Sequence, residues 1–327
     1  MFYSVQKNGK IITGSSPEPL IAEASAQIMN FSVEKHWDIE PYMDIWGLLR
    51  QFVNQDLTAA GTIGDLIGRA LSISAMDCVI YGLPADRVCE LQYQTPVTVA
   101  EYYKVLLTDK AWETLRQFTP AYSGRLSAES ATKTFEDAFQ DAYFHFSHYG
   151  MANDSSPMRD TVSWAYWLRG SAILCPFNQE ITDRMFPIYF STLGNLSPET
   201  MSVILEQDTI GQSITPDNAG IQSAEALSIF SPGNGLPYIA VVHCYALTEN
   251  QGIVIKQPNV HETDEDLETD EGMETDEESE APCYQFGFRG LNAYRNITDS
   301  DRATIGTMIG PSKRTLPLWA VNMDSED

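Results

Sequence analysis

Basic residues are scarce in this chain of 327 residues. Lysine and arginine together number 20 against 45 aspartates and glutamates, so the formal net charge is −25. Phosphate backbones and anionic membranes are bound by cationic surfaces, and a chain this acidic offers little such surface. The charge balance therefore argues against direct binding of nucleic acid and against a membrane surface as a partner.

Cysteines and long apolar runs are also few. The five cysteines are Cys78, Cys89, Cys175, Cys244 and Cys283, and the absence of a C-x-x-C motif excludes zinc-ribbon and thioredoxin-type sites. No apolar run approaches the roughly 18 residues that span a bilayer, and the first ten residues lack the apolar segment of a secretory signal. We therefore expect an intracellular protein, cytoplasmic or nuclear, with reduced cysteines.

The material for a core is present. Hydrophobic residues make up 43% of the chain and aromatic residues 11%, which is enough for one large or two ordinary domains. Hydrophobic periodicity predicts an α+β fold, with a mainly helical N-terminal half packed on a small mixed β-sheet core. We expect a mainly helical region over residues 1–150 and an α+β, sheet-containing region over residues 151–327, with one continuous domain as the alternative.

The periodic segments predict individual elements. Helices are predicted over residues 44–53, 62–80, 128–150, 159–168 and 298–309, with a helical pair over 97–118. Strands are predicted over residues 170–175, 183–191, 201–206, 237–247 and 283–289. Gly61, Gly64 and Gly68 favour close helix packing over a phosphate-binding loop, since no strand precedes them and no Gly-Lys-Ser/Thr follows.

The helix predicted over 128–150 carries Asp137, Asp141, His145 and His148 at spacings that would place them on one stripe. Carboxylates and histidines on a helix can hold a metal ion, but such sites need matching ligands from a second helix. No Glu-x-x-His partner is present in the sequence. We therefore interpret both histidines as structural residues among aromatic neighbours.

One segment is almost entirely acidic. Residues 262–280 read ETDEDLETDEGMETDEESE and hold 12 acidic side chains with no basic one. Because these charges repel one another, we expect a disordered insert over residues 261–282, between two strands of one domain. The tract is either a solvated surface insert or a docking element for a basic protein partner. Thr263 and Thr275, each with an acid three residues on, match the pattern that acidophilic kinases favour.

Three acidic residues near predicted strand ends form the candidate site. Asp183 begins one predicted strand, and Glu206 and Asp208 lie at the end of the next one. Converging carboxylates are the ligands that Mg²⁺ prefers, and phosphate oxygens can complete its coordination shell. Acids exposed to water at the edge of a sheet are the alternative interpretation.

The lysine expected of a phosphodiester-cleaving site is missing. Such chemistry usually places a lysine two positions beyond the second acid, where it stabilises developing charge. With Gln207 as the second metal-site position, the lysine would stand at Thr209, and no lysine lies between Lys133 and Lys256. This gap weakens a nuclease mechanism.

Three sequence segments carry a resemblance to known proteins. They are residues 169–179 (RGSAILCPFNQ), 183–188 (DRMFPI) and 202–207 (SVILEQ). Together with residues 139–148 (FQDAYFHFSH), they resemble a family of uncharacterised proteins common in mushroom-forming fungi. The resemblance covers most of the chain.

The central segment is also similar to the core of PD-(D/E)XK nucleases in their glutamine variant. In this resemblance Asp183 matches the acid of the hairpin and Gln207 matches the glutamine. Thr209 stands where those enzymes have lysine, and Asp208 replaces a small apolar residue. The resemblance therefore implies a degenerate, inactive nuclease-like core.

Two functions follow from these observations. The first is an interaction or regulatory protein on an inactive nuclease-like core, without a cofactor, that binds a basic protein partner through residues 262–280. The alternative is a metal-dependent phosphodiesterase or nuclease. In that case Asp183, Glu206 and Asp208 would be the catalytic, Mg²⁺-binding residues. Arg169 or Arg184 would then supply the missing positive charge.

Overall fold

The structure of the protein is a computed structural model that describes residues 2–5, 11–13, 22–27, 45–54, 63–89, 92–120, 132–151, 160–175, 182–193, 195–210, 235–245, 252–255 and 281–312. Within them the helices are α1 (22–27), α2 (Ile45–Asn54), α3 (Ile63–Tyr81), α4 (Val99–Leu106), α5 (Asp109–Arg116), α6 (Phe135–Phe139), α7 (Asp160–Leu168) and α8 (Asp299–Ser312). The strands are β1 (Phe2–Val5), β2 (Ile11–Thr13), β3 (Val97–Thr98), β4 (Ala142–Phe144), β5 (His148–Met151), β6 (Ser171–Leu174), β7 (Arg184–Phe190), β8 (Met201–Thr209), β9 (Tyr238–Cys244), β10 (Gly252–Ile255) and β11 (Cys283–Arg289).

Strands β3 to β11 form one mixed sheet. Its main path runs β10-β11-β9-β8-β7-β4-β3, and a branch joins β6 to β7 and β5 to β6. The pairs β8–β9, β9–β11 and β5–β6 are parallel, whereas β7–β8 and β6–β7 are antiparallel. This arrangement brings the start of β7 and the ends of β8 and β9 to the same edge of the sheet.

The two faces of the sheet pack against different helices. Strand β8 shows this, because successive side chains of a strand point to opposite faces. Ile204 packs into the larger apolar cluster, which includes residues of α3 and α4. Val203 and Leu205 pack into a smaller cluster with Val162 and Tyr166 of α7. We call these two sides the α3 face and the α7 face.

Helix α3 approaches the sheet closely. Its buried residues follow the helical spacing of three and four, and they include Gly64, Ile67, Gly68 and Leu71. A Cβ atom at Gly64 would lie 3.6 Å from the Cβ atom of Asp208, and one at Gly68 would overlap the side chains of Arg184 and Asp208. The prediction of close packing is confirmed at Gly68, whereas a Cβ atom at Gly64 would make only an ordinary contact and Gly61 lies outside the described residues.

Most of the predicted elements are present. The helices predicted over 44–53, 62–80, 159–168 and 298–309 are α2, α3, α7 and α8, and the pair predicted over 97–118 is α4 and α5. The strands predicted over 170–175, 183–191, 201–206, 237–247 and 283–289 are β6, β7, β8, β9 and β11. A mixed α/β architecture is therefore confirmed.

The helix predicted over residues 128–150 is wrong. Helix α6 ends at Phe139, and the described chain continues as β4 and β5. In β4 and just after it, Ala142, Phe144 and Phe146 are buried and alternate with half-buried residues, which is the pattern of a strand. The acids and histidines of this segment therefore share no helical stripe.

The sheet draws strands from both predicted regions. Strands β3 and β4 come from residues 1–150, and β5 continues across residue 150. The division into two regions at that residue stays a prediction. Residues 261–280 of the predicted acidic insert, with Thr263 and Thr275, lie outside the described residues. None of the helices in the described part of the chain is long and apolar enough to cross a membrane.

Candidate functional site

Asp183 is held where β7 begins and β8 ends. It lies directly before β7, and its backbone N–H donates to the carbonyl oxygen of Glu206 at 2.9 Å. Its own carbonyl oxygen accepts from the N–H of Cys175 at 2.9 Å. The next residue, Arg184, is paired in register with Glu206. The hairpin therefore fixes the predicted acid beside the end of β8.

Glu206 and Asp208 lie on the α3 face of β8. They are two residues apart in a strand, so their side chains point to the same side of the sheet. The position of Asp208 beneath Gly64 and Gly68 shows that this side faces α3. Gln207, the residue between them, belongs to the opposite face.

The side chain of Arg184 lies between these two carboxylates. Its Nη2 donates to Oε2 of Glu206 at 2.5 Å and to Oδ1 of Asp208 at 3.2 Å, and its Nη1 donates to Oδ2 of Asp208. The three side chains are exposed by only 1%, 1% and 0% of their surface. A buried ion pair of this kind persists only where hydrogen bonds compensate the lost hydration.

Aromatic and histidine side chains complete the network. The hydroxyl of Tyr245 donates to Oδ1 of Asp208 at 2.8 Å. The Nε2 atom of His243 lies 3.5 Å from Oε2 of Glu206, and its Nδ1 lies 2.7 Å from the hydroxyl oxygen of Tyr294. Strands β8 and β9 and the segment after β11 are therefore linked through one polar cluster inside the larger apolar core.

The two carboxyl groups bound by Arg184 differ in proton affinity. Burial raises the pKa of Asp208 to about 6, against the opposing charges of Arg184 and His243. Burial also disfavours the ionised form of Glu206, but Arg184 and His243 outweigh it and lower the pKa of Glu206 to about 2. Burial opposes the charge of Arg184 as well, yet Asp208 and Glu206 raise its pKa well above the usual value.

A second group of carboxylates lies at the rim of this network. Asp65 of α3, Asp183 and Asp208 each offer an oxygen atom, and these oxygens all lie within 4.8 Å of one another. Oδ2 of Asp183 also accepts from the backbone N–H of Asp208 at 2.6 Å. We call Asp65, Asp183 and Asp208 the aspartate triad.

The triad carries excess negative charge in a partly buried place. Burial raises the pKa of Asp65, and the charge of Asp183 raises it further. Burial likewise raises the pKa of Asp183. Arg69, one turn after Asp65 on α3, lowers the pKa of both groups without reversing these shifts. The triad is therefore the part of the site where the carboxylates would stabilise an added cation most.

The structure brings together some of the predicted site residues. Asp183 and Asp208 meet in the triad, whereas Glu206 is bound by Arg184 beside His243 and is not a member. Arg169 is exposed after the end of α7, and its guanidinium lies 5.8 Å above the ring of Tyr166.

Sequence reasoning missed Asp65, His243 and Tyr245. His243, in β9, and Tyr245, just after it, are two residues apart and both point to the α3 face, as Glu206 and Asp208 do on β8. This alternation could have identified them from the sequence. Asp65 has no comparable signal. Its neighbours Gly64 and Gly68 indicate close packing, but nothing local identifies the end of β8 as the surface against which they pack.

The chain was compared with protein-family models, curated proteins and solved structures, and none of them matches. Its function therefore has to be argued from its own side chains. Two features carry that argument: the guanidinium of Arg184 between Glu206 and Asp208, and the aspartate triad.

Proposed function

We propose that this chain is an intracellular interaction or regulatory protein built on a nuclease-like core that has no catalytic centre. The observation that carries the proposal is the position of the Arg184 side chain. It binds Glu206 and Asp208, two of the three acids predicted as metal ligands, in a place with almost no solvent exposure.

The guanidinium supplies the positive charge that a divalent cation would bring. Both oxygens of Asp208 already accept hydrogen bonds, from Arg184 and from Tyr245, and Oε2 of Glu206 accepts from Arg184. A Mg²⁺ ion requires six oxygen ligands in a near-octahedral shell. It would have to displace Arg184 from its partners and leave a buried guanidinium uncompensated, which is strongly unfavourable.

The missing lysine supports the same conclusion. If Glu206 is taken as the second acid of the nuclease-like arrangement, the position two residues on is Asp208. If Gln207 is taken, that position is Thr209. Neither side chain carries an amino group that could stabilise charge developing on a phosphate.

The acidic tract, residues 262–280, is the proposed docking element. Its 12 acids would attract a basic protein partner over a distance set by the ionic strength. The overall charge of −25 acts in the same direction. This step rests on the sequence, because the tract lies outside the described residues. The proposal needs no cofactor, and its partner is a protein and neither nucleic acid nor membrane.

A binding experiment tests the proposal. The probe is a peptide rich in lysine and arginine, compared with an uncharged peptide of equal length. Deleting residues 262–280 should weaken binding of the basic peptide by about tenfold or more at low salt, and added salt should remove most of the difference. A variant with all 12 acids changed to their amides keeps the length of the tract and should behave like the deletion. Equal affinity of all three proteins would reject the docking element.

The aspartate triad favours one other function, a metal-dependent phosphodiesterase or nuclease. Asp65 and Asp183 are only half-buried, so a Mg²⁺ ion from solvent would reach them before it reached Asp208. Arg69 would then be the basic residue near the site, in place of Arg169 or Arg184. In this alternative Glu206 would remain bound to Arg184 and act on the site only through its charge.

A metal titration separates the two functions. Thermal unfolding is followed with and without millimolar Mg²⁺ or Mn²⁺ in the wild type, in Asp183→Ala and in Asp65→Asn. Glu199→Gln, which removes an exposed acid elsewhere, is the control. A rise in Tm that both triad variants abolish would favour the phosphodiesterase and call for nuclease assays. No rise in any protein would favour the inactive core.

A further inference from the structure

His145 lies in the turn between β4 and β5, and its ring contacts two segments that are distant in the chain. Its Nδ1 atom is 2.9 Å from the carbonyl oxygen of Gln94, in the 3-10 turn Gln92–Gln94. Its Nε2 atom is 2.9 Å from the carbonyl oxygen of Trp167, in the last turn of α7. Both distances are those of good hydrogen bonds.

The two contacts cannot both be hydrogen bonds of a neutral ring. A neutral imidazole carries one N–H and one lone pair, whereas a backbone carbonyl oxygen can only accept. One nitrogen of a neutral His145 would therefore direct its lone pair at an oxygen lone pair. An imidazolium has two N–H groups and satisfies both carbonyl oxygens together.

We propose that His145 is a proton-operated clamp, which holds the turn Gln92–Gln94 against the end of α7 when both of its ring nitrogens are protonated. Loss of the proton from either nitrogen removes one of the two hydrogen bonds. The clamp therefore connects the local packing of three segments to pH.

The surroundings of the ring are built around these contacts. The N–H of Ser147 donates to the carbonyl oxygen of Gly170 at 3.0 Å, so the turn that carries His145 is joined to the end of α7 a second time. Gly170 has a φ of 60°, and a Cβ atom there would overlap the side-chain oxygen of Gln94. The Trp167 ring meets the imidazole edge to face, with centroids 4.6 Å apart.

Opposing influences act on the proton. Burial lowers the pKa of His145 below its ordinary value of 6.5, and the hydrogen bonds to the carbonyl groups of Trp167 and Gln94 oppose this shift without reversing it. The carboxyl end of a helix carries partial negative charge, which stabilises a cation within its last turn. Because Trp167 lies in that turn, the dipole acts together with the two carbonyl groups.

The segments that contact the ring carry titratable groups of their own. On α7 and its end there is Arg169, whose guanidinium lies over the ring of Tyr166. In the turn itself there is His148, whose Nδ1 lies 3.1 Å from the hydroxyl oxygen of Ser147. Gln94 supplies only neutral groups. The interactions that favour the proton of His145 are thus its hydrogen bonds to two backbone carbonyl groups.

The proposal makes a definite statement about proton affinity. A clamp that closes on protonation must bind its proton more tightly when closed than when open. In the open state the ring stays buried but keeps only one of its two carbonyl contacts. We therefore expect His145 to bind its proton more tightly in the folded protein than a ring with one such contact would, although burial keeps its pKa below the ordinary value.

Nitrogen-15 NMR of the imidazole rings measures this directly. The chain has five histidines, and the signal of His145 is the one that disappears in His145→Gln. In the wild type we expect both ring nitrogens of His145 to become protonated as the pH falls below the ordinary histidine range, and a single neutral tautomer at about pH 8. A ring that stays neutral throughout the pH range in which the protein remains folded would overturn the proposal, and this measurement needs no variant that unfolds.

Amide hydrogen exchange tests whether the proton tightens the contact. The N–H groups of Ser147 and Gly170 should be protected roughly threefold to tenfold more when His145 is protonated, as one net hydrogen bond implies. His145→Gln should remove this dependence, whereas His261→Gln, which removes a histidine beside the acidic tract, should retain it. Protection that stays constant while the ring titrates would show that no clamp exists.

Discussion

The α3 face and the α7 face of the sheet bury very different side chains although the same strands supply both. On the α3 face the inward side chains at the edge where β8 and β9 end are Arg184, Glu206, Asp208 and His243. On the α7 face, Met185, Val203, Leu205 and Ala240 form an apolar cluster. Because side chains alternate, a slip of one residue in the pairing of β7 with β8 would move the charges into the apolar α7 face. The charged face therefore fixes the register.

The charged groups of the α3 face specify the register of the strands but add little to the free energy of unfolding. Removing charged groups from water is expensive, and their mutual attraction repays this only when the geometry is good. The apolar face stabilises the fold through burial alone, at about 25 cal/mol per Å². We therefore expect the α3 face to tolerate single replacements poorly and the α7 face to tolerate conservative ones.

Arg184→Met should give the largest effect. It keeps much of the side-chain volume but leaves the buried carboxylates of Glu206 and Asp208 unpaired, and breaking such a network costs about 3–5 kcal/mol. Urea unfolding measures the loss. In the control, Glu206→Gln and Asp208→Asn are added to Arg184→Met, and the triple variant should recover part of the stability. A loss below about 1 kcal/mol in the single variant would show that the network is not buried as described.

The second effect is a dependence of stability on pH. The pKa of Asp208 in the folded protein, about 6, lies above the ordinary value of 3.8. The folded state therefore binds this proton more tightly, so the stability present below pH 3.8 is lost as the pH rises through about 6. The raised pKa values of Asp65 and Asp183 act in the same direction.

Glu206 contributes in the opposite sense and at lower pH. Its pKa is lowered from 4.5 to about 2, so the stability it adds is present above pH 4.5 and is lost as the pH falls through about 2. Between about pH 4 and 6, we expect the free energy of unfolding to fall with rising pH by up to about 1.4 kcal/mol per unit for one proton. Urea unfolding across this range should show a smaller slope in Asp208→Asn, and an unchanged slope would exclude Asp208 as the group responsible.

Gly68→Ala should come next, with a loss of about 1–3 kcal/mol. Its new Cβ atom would overlap Nη1 of Arg184 and the carboxylate of Asp208, so α3 would have to move away from the sheet. Gly64→Ala is the matched control on the same helix, since its Cβ atom would make an ordinary contact of 3.6 Å. Chemical unfolding should show no loss for the control, and equal losses in both variants would mean that helix packing in general, not the charged network, limits the approach.

The smallest effect should come from the α7 face. Leu205→Met keeps the volume and adds no polar atom, and such a replacement costs less than about 1.5 kcal/mol. Leu205 is adjacent to Glu206 in β8 but points to the other face of the sheet. Comparing its loss of stability with that of Arg184→Met therefore measures the difference between the two faces. If thermal unfolding showed similar losses of stability for Leu205→Met and Arg184→Met, the expected difference between the two faces would be wrong.

The central hairpin and its neighbours could be predicted because their signals are local. The apolar runs of β7, β8 and β9, bounded by turn residues, gave the strands to within a few residues. The spacing of Ile63, Ile67 and Leu71 predicted α3 in the same way. Placing Asp183 next to Asp208 followed from the hairpin.

The predictions failed where a helical and a strand periodicity overlap in the sequence, or where the residues in contact are distant in the chain. Phe135, Phe139, Tyr143 and Phe146 are spaced by three or four residues, which fits one face of a helix, but in the structure Ala142, Phe144 and Phe146 alternate as strand residues do. Asp65 joins the aspartate triad only because α3 crosses the end of β8. No local pattern encodes that crossing, so the third member of the triad could not be predicted.

The buried charges also set the order of events in folding. Arg184 and Asp208 share one hairpin, but His243, Tyr294 and the covering residue Gly68 of α3 come from segments far apart in the chain, and contacts of this kind form slowly because long loops must close first. Until they close, each charge keeps its shell of water. We therefore expect the charged groups to lose their water only after the transition state for folding. Loss of Arg184 should then accelerate unfolding far more than it slows folding.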